Sequence, residues 1–437
     1  MPVPKINVVT LGCPKNEVDT ETLLAQLKLN NASFVKDGTQ AEIAVINTCG
    51  FIEAAKRESI DAIAEAIEAK KEGRFKQVVV MGCLAQRYRM ELQAELPEID
   101  AVFGANQVAE VVRGLGLDLR RDLLGERVLT TPSHFAYLKI SEGCDRPCSF
   151  CAIPLMRGIH HSKPLEEVIR EARTLAHQGV RELILIAQDT TYYGLDLYDR
   201  RRLAELLEAM SSIEGIRWVR LMYAYPAGFP REVLKIYRSQ PVLCRYLDLP
   251  LQHISDPVLR SMRRGIMADA TRRLLDEVQA SVPGIALRTT FIVGYPNESE
   301  KDFQQLYEFV EERKFHRLGV FTYSQEDGTA ADCLGDPVPQ EVKSERSKAL
   351  MELQKRISEE RNASLVGSVV NVLVDRIEDG VAVGRTQWDA PEIDQEVHVT
   401  PSEGLSPGLF SDVRITDAVE YDLFGEIAST RGGGESV

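Results

Sequence analysis

The sequence lacks long hydrophobic runs and an excess of positive charge. No stretch of about 18 consecutive apolar residues occurs, so we expect no membrane-spanning helix. The first residues, MPVPKINVVTLGCPKNE, have neither the basic start nor the apolar core of a signal peptide, which predicts a cytoplasmic protein. Lys and Arg number 52 against 66 Asp and Glu, a net charge of -14. Because phosphate neutralisation dominates nucleic-acid affinity, this balance argues against RNA or DNA as the main partner.

The pattern of short apolar runs divides the 437 residues into several domains. Three β-branched runs, at 6–11, 43–47 and 77–81, alternate with helical patterns and predict a doubly wound parallel α/β domain. Six strand–helix repeats follow and predict an open, partial TIM-type (βα)6 barrel. After a charged amphipathic helix, short strands predict a small antiparallel β-barrel. We therefore expect domains at 1–117, 134–365 and 366–430, a linker at 118–133 and a disordered tail at 431–437.

Three of the eight cysteines lie close together in GCDRPCSFC (143–151), as Cys144, Cys148 and Cys151. They follow the first predicted barrel strand, at the end where such barrels carry their chemistry. Structural zinc needs a fourth ligand and favours paired CxxC motifs, and a ferredoxin cluster takes four cysteines. Three thiolates on a 4Fe–4S cluster leave one iron open. That iron can accept the amino and carboxylate groups of a methionine derivative.

A second set consists of Cys13, Cys49 and Cys83, which are far apart in the sequence. Each comes directly after a predicted strand, in VVTLGC, VINTC and VVVMGC. Because the carboxyl ends of parallel strands share one edge, we expect these thiols to converge on a second cluster. The alternative is three buried core cysteines, a common environment for a free thiol. The two remaining cysteines, Cys244 and Cys333, have no such setting and are interpreted as structural.

The spacing C-x3-C-x2-C, with Phe150 before the last cysteine, resembles the signature of radical S-adenosylmethionine enzymes. The order of an N-terminal domain with three cysteines, a radical-type barrel and a small C-terminal β-barrel resembles the methylthiotransferase family of these enzymes, and this resemblance covers nearly the whole chain. The C-terminal barrel would then be a TRAM-type domain. The sequence resembles the branch of the family that modifies a ribosomal protein rather than tRNA. That resemblance is carried by the stretches 47–63, 141–158, YAYP (223–226), 246–265 and DAPEID (389–394), and by the lack of Ser-Gly-Ser after LPLQ.

The resemblance implies a radical enzyme with two 4Fe–4S clusters and two S-adenosylmethionine molecules. Reductive cleavage at the barrel cluster would give a deoxyadenosyl radical. The acceptor would be the β-carbon of an aspartate on small-subunit ribosomal protein S-twelve, free or on the subunit. A flavodoxin or ferredoxin is the expected electron donor. The two cysteine sets would be the metal ligands, and no further catalytic residue is assigned.

Four residues near the predicted strand ends are candidates for binding the cofactor. Phe150 is expected near the adenine, and Arg157, just past the cluster loop, is expected to balance anionic charge. Gln188 follows the second barrel strand, and Gly294 follows the fifth, where glycine permits a close backbone approach. His253, beyond the fourth strand, is either a group on the substrate side or a structural histidine. Each of the five is alternatively part of the scaffold.

The charge of the last domain distinguishes between possible substrates. Residues 367–437 contain 14 Asp and Glu against four Arg and no Lys, a formal charge of -10. Such a surface repels RNA and attracts a basic protein, so we expect RNA contact to be secondary at most. A merely soluble acidic surface is the alternative. A tRNA (adenosine) methylthiotransferase, a non-enzymatic iron–sulfur protein for electron transfer or sensing, and a zinc-binding module stay open.

Overall fold

The computed structural model describes residues 4–35, 41–120 and 127–428. The predicted disordered tail at 431–437 and part of the predicted linker lie outside these residues. Within these ranges no helix combines the length and the apolar character that a membrane span requires. The described residues form three successive units, a parallel sheet, a partial barrel and a closed barrel. The exact domain boundaries stay a prediction.

The first unit is a five-stranded parallel sheet in the order β2-β1-β3-β4-β5. Apolar side chains cover both of its faces, one under α1 and α5 and the other under α2, α3 and α4. This confirms the predicted doubly wound domain. The strands are β1 (Lys5–Thr10), β2 (Ser33–Phe34), β3 (Ile43–Thr48), β4 (Gln77–Gly82) and β5 (Ala101–Val102). The helices are α1 (Pro14–Leu29), α2 (Glu53–Lys71), α3 (Cys83–Arg87), α4 (Arg89–Glu95) and α5 (Val108–Gly114).

The second unit is a six-stranded parallel sheet in the order β13-β12-β11-β10-β9-β6, with a two-stranded β7–β8 ribbon beside it. The sheet curves without closing, as the repeats predict. The strands are β6 (Phe135–Lys139), β7 (Ser141–Glu142), β8 (His161–Ser162), β9 (Glu182–Ile186), β10 (Trp218–Leu221), β11 (Leu243–Asp248), β12 (Ala286–Val293) and β13 (Arg317–Thr322). The helices are α6 (Ile153–Arg157), α7 (Leu165–His177), α8 (Leu195–Tyr198), α9 (Leu203–Met210), α10 (Glu232–Ser239), α11 (Asp256–Ser261), α12 (Ala268–Ser281), α13 (Glu300–Arg313) and α14 (Gln340–Ala363).

The third unit is a closed five-stranded barrel in the order β14-β15-β16-β18-β17. Its strands are β14 (Val369–Glu378), β15 (Val381–Thr386), β16 (Glu396–Val399), β17 (Phe410–Ala418) and β18 (Asp422–Ile427). Four pairs are antiparallel as predicted, but β16 and β18 pair in parallel. Because β17 pairs with β14 on its other side, closing the ring brings β18 alongside β16 in the same direction.

The third unit fills the concave side of the partial barrel. Leu373 and Ala390 belong to the same buried apolar cluster as Tyr246 on β11. Around this cluster, Arg317 donates through Nε to Asp389 at 2.9 Å, and the Tyr246 hydroxyl donates to Asp394 at 2.8 Å. The DAPEID stretch (389–394) therefore fills the interior of the partial barrel. The interior stays accessible at the carboxyl ends of the barrel strands.

Candidate active site

The first cysteine set lies along the carboxyl edge of the N-terminal sheet. Cys13 precedes α1, Cys49 follows β3 and Cys83 is the first residue of α3, so three neighbouring strands deliver the three thiols. The loops that carry these cysteines approach each other closely. Gly12 has a φ of +94°, and a Cβ added there would lie 2.8 Å from Sγ of Cys49. Glycine at this position therefore lets two of the cysteine loops approach each other.

The second cysteine set occupies the loop that follows β6 and β7. Sγ of Cys148 accepts a hydrogen bond from Nη1 of Arg264 at 3.2 Å and lies 3.5 Å from the Tyr225 hydroxyl. The backbone amide of Arg146 donates to Sγ of Cys144 at 3.5 Å. These contacts hold the loop against the carboxyl ends of the barrel strands, as the sequence predicts.

Helix α6 joins the two cysteine sets. It begins two residues after Cys151, and Ala152 and Met156 pack with Cys83 and Ala105 of the N-terminal domain in one buried cluster. Both sets therefore border the same junction between the two domains.

A cleft opens at this junction, at the carboxyl ends of the barrel strands. Its walls come from both domains: Phe51, Ile52, Phe150, Cys151, Ala152, Gln252, Thr290, Ile292, Phe321, Thr322, Tyr323, Ser324 and Glu326. Eight of these thirteen side chains are aliphatic, aromatic or cysteine, and five are polar or charged. This composition is typical of a pocket for a small organic molecule.

Burial keeps four of the thiols, those of Cys49, Cys83, Cys144 and Cys151, protonated when no metal binds them. It raises the pKa of Cys83 and of Cys151 to about 12 and that of Cys144 to about 11. Burial also raises the pKa of Cys49. Since metals bind the thiolate, occupying either set must release protons.

The cysteines meet the requirements of an iron–sulfur cluster. All eight are free thiols, so neither set is closed by a disulfide. In the described part of the chain, only Glu396, His398 and Asp422 bring three ligand atoms within 4.8 Å of one another. The cysteine sets are wider than that. A cluster that seats each thiolate on a separate iron fits such spacing better than a single zinc ion does.

A polar cofactor would also find hydrogen-bonding partners here. Oε1 of Gln252, in the cleft wall, is buried without a partner among the described residues, and the same holds for Oε1 of Gln188. Gln252 has a φ of +74°, an unfavourable conformation for this residue type. A buried unpaired polar atom and a strained backbone often coincide at a ligand site.

The four predicted cofactor residues fall in different places. Phe150 lines the cleft. Nε2 of Gln188 donates to Oε1 of Glu142 at 2.7 Å. Arg157 turns toward the N-terminal domain, where its Nε donates to Sγ of Cys83 at 3.2 Å. Gly294 lies against Lys343 of α14, whose Cγ a Cβ would overlap. Binding of the cofactor by any of them stays a prediction.

His253 is fully buried, and the Ser255 amide donates to its Nδ1 at 3.0 Å. The structural interpretation of this residue is therefore favoured over a group on the substrate side. Gln252, Arg264 and Tyr225 were not predicted as site residues, although they lie within the stretches 246–265 and YAYP. The positive φ of Gln252 and the long-range partners of Arg264 leave no local sequence signal.

Comparison with protein families divides the chain in the same order. Residues 5–104 match an uncharacterized protein family, UPF0004. Residues 138–310 match the Radical SAM superfamily, and residues 366–428 match the TRAM domain. Membership of the Radical SAM superfamily implies an iron–sulfur cluster and S-adenosylmethionine.

Solved structures share the fold at low identity. A radical S-adenosylmethionine methyltransferase, TsrM from Kitasatospora setae, superposes with a TM-score of 0.56 and 14% identity over 76% of this chain and 77% of its own. The cobalamin-dependent radical enzyme OxsB gives a TM-score of 0.52 at 14% identity over 80% of this chain and 56% of its own.

Sequence relatives are much closer. The ribosomal protein uS12 methylthiotransferase RimO of Flavobacterium johnsoniae is 52% identical, over 97% of this chain and 98% of the relative. The enzyme of the same name from Chloroherpeton thalassium is 51% identical over the same shares. With this identity over nearly the full length, the chain belongs to the RimO family of radical S-adenosylmethionine methylthiotransferases.

Proposed function

We propose that this enzyme adds a methylthio group to the β-carbon of an aspartate of ribosomal protein uS12. Two 4Fe–4S clusters would serve the reaction, one held by Cys13, Cys49 and Cys83 and the other by Cys144, Cys148 and Cys151. The observation that carries the proposal is the shared junction of two sets of three free cysteines, where Cys83 packs against Ala152 and Met156 and Cys151 lines the cleft. Each set leaves one iron without a protein ligand.

The protein's own residues bind and orient the cofactor and the substrate, and they exclude water from the site. S-adenosylmethionine at the open iron of the barrel cluster would supply radical chemistry able to attack an unactivated carbon. Phe150 and the other apolar walls of the cleft shield that region from water, and Gln252 offers an unpaired oxygen to a polar ligand. Arg264 holds the Cys148 side of the barrel loop through its hydrogen bond to the sulfur.

Charge supports a basic protein as the substrate. The net charge of -14, with -10 in residues 367–437, favours a basic partner over a nucleic acid. The relatives named for uS12 act on a ribosomal protein. We infer a cytoplasmic location and a flavodoxin- or ferredoxin-type electron donor for this chain.

Iron and sulfide counts test the two-cluster proposal. We expect reconstituted wild-type protein to hold two clusters, and Cys-to-Ala triple variants of either set to lose about four irons each. The Cys244→Ala and Cys333→Ala variants are the controls and should keep the full count. Loss of iron from only one triple variant would contradict a second cluster.

A substrate assay separates the two branches of the family. Anaerobic incubation with reductant and S-adenosylmethionine should yield deoxyadenosine and add the mass of one methylthio group to uS12. Unmodified tRNA is the parallel substrate. A methylthio product on tRNA alone would overturn the protein-substrate proposal, and an absence of deoxyadenosine would favour a non-enzymatic iron–sulfur protein.

A further inference from the structure

A residue of the barrel domain completes the surroundings of the N-terminal cysteine set. Arg157 is the last residue of α6, which follows the barrel cysteines, yet its Nε donates to Sγ of Cys83 at 3.2 Å. Its side chain is buried, with 2% of its surface exposed. The Asn106 side-chain amide of the N-terminal domain donates to the Arg157 carbonyl at 3.2 Å. The arginine is therefore fixed at both its backbone and its side chain.

The other guanidinium nitrogens are held by a buried polar network. Nη1 donates to Asp19 at 2.7 Å and to Glu142 at 3.2 Å, and Nη2 donates to Asn16. Lys139 donates to the same two carboxylates, so two cations balance two anions. Asn16 and Asp19 lie on α1, directly after Cys13, whereas Lys139 and Glu142 belong to the barrel. The network thus links the two domains around one orientation of Arg157.

We propose that Arg157 is a positioning residue of the N-terminal cluster site, which orients Cys83 and raises the reduction potential of the cluster bound there. The proposal rests on the two-cluster function above and assigns to the barrel domain one part of the N-terminal site.

The physical reason is the charge on the sulfur. One-electron reduction adds negative charge to a cluster and its thiolates, and hydrogen bonds to those sulfurs tune the potential. A buried guanidinium donor stabilises the reduced state more than the oxidised state because little water reaches the site to screen the N–H···S interaction. Since Asp19 and Glu142 already pair with Lys139, the guanidinium can keep its Nε–H directed at Cys83.

Arg264 provides a matched control within the same chain. It is also a buried arginine, and it donates to a cysteine sulfur at the same distance of 3.2 Å, but that sulfur belongs to Cys148 of the barrel set. Removing each guanidinium should therefore affect a different cluster.

The experiment is an anaerobic potentiometric titration of the reconstituted full-length holoenzyme with dithionite, followed by electron paramagnetic resonance. Variants lacking one cysteine set assign each signal to its cluster. At the wild-type midpoint, Arg157→Gln should lower the reduced-to-oxidised ratio of the N-terminal cluster about tenfold, the effect of about 1.4 kcal/mol. The barrel cluster should change little. Arg264→Gln should give the reverse pattern.

Arg157→Lys keeps the charge without the forked geometry and should give a smaller shift. It also covers the case in which the Gln variant fails to fold. An unchanged midpoint of the N-terminal cluster with full iron content, or equal shifts of both clusters, would overturn the proposal. So would loss of iron from both cluster sites in the two Arg157 variants, which indicates a general folding role. If wild-type Cys13, Cys49 and Cys83 bind no iron, the two-cluster function itself fails.

Discussion

At the scale of single residues, His253 illustrates how burial selects between two roles. Its Nδ1 accepts from the Ser255 amide, and its Nε2 has no partner within the described ranges. Burial lowers the pKa of His253 to about 3, so the imidazole is neutral in the folded protein. Below the ordinary pKa of 6.5 only the unfolded chain takes up this proton. The folded state therefore loses stability as the pH falls from 6.5 toward 3.

We predict that His253→Gln flattens this part of the stability profile. Between pH 7.5 and 5, the wild-type protein should lose about 2 kcal/mol of unfolding free energy more than the variant does. Urea unfolding at several pH values measures the difference. His161, whose side chain is exposed, is the matched control, and His161→Gln should leave the slope unchanged. Parallel profiles for wild type and His253→Gln would refute the prediction.

At the scale of elements, the packing of helix α14 against the end of β12 explains why a glycine follows that strand. Gly294 has a φ of +73°, and its α-carbon lies against the aliphatic stem of Lys343. The Lys343 ammonium then donates to the Tyr323 carbonyl at 2.9 Å and pairs with Asp336. A lysine of the same chain therefore makes the close approach at this glycine, and binding of the cofactor by Gly294 stays a prediction.

We predict that Gly294→Ala destabilises the protein by about 2–3 kcal/mol, from backbone strain plus overlap with Lys343. Gly284→Ala is the control: its φ is +76°, but the nearest atom is 3.7 Å away, so only about 1 kcal/mol should be lost. Adding Lys343→Ala should recover the overlap component of Gly294→Ala. Equal losses for Gly284→Ala and Gly294→Ala in urea unfolding would contradict this account.

At the scale of the whole molecule, ion pairs hold the N-terminal domain on the barrel beside the cleft. Glu326, in the loop after β13, accepts from Lys56 at 2.7 Å and from Arg87 at 2.6 Å. It is 4% exposed and also lines the cleft. Because both cysteine sets border this junction, its geometry decides how the two cysteine sets face each other.

We predict that Glu326→Gln destabilises this junction by about 3 kcal/mol, because two partly buried cations lose the buried carboxylate that they share. Urea unfolding should then separate an early transition of the N-terminal domain from that of the barrel. Glu378→Gln breaks an exposed pair with Arg376 and should cost less than about 1 kcal/mol. A single unshifted transition in Glu326→Gln would show that other contacts dominate the junction.

The sequence by itself determined the three-unit fold and the two cysteine sets. Alternating β-branched runs and helical periods specify strands and helices locally, and the strand ends at Cys13, Cys49 and Cys83 follow from that pattern. Only the tertiary structure decided which residues meet across units. The contact of Arg157 with Cys83 joins residues 74 positions apart, and the left-handed backbone of Gln252 has no local signal. Such contacts depend on how the formed helices and strands pack against one another. Local sequence patterns do not encode that packing.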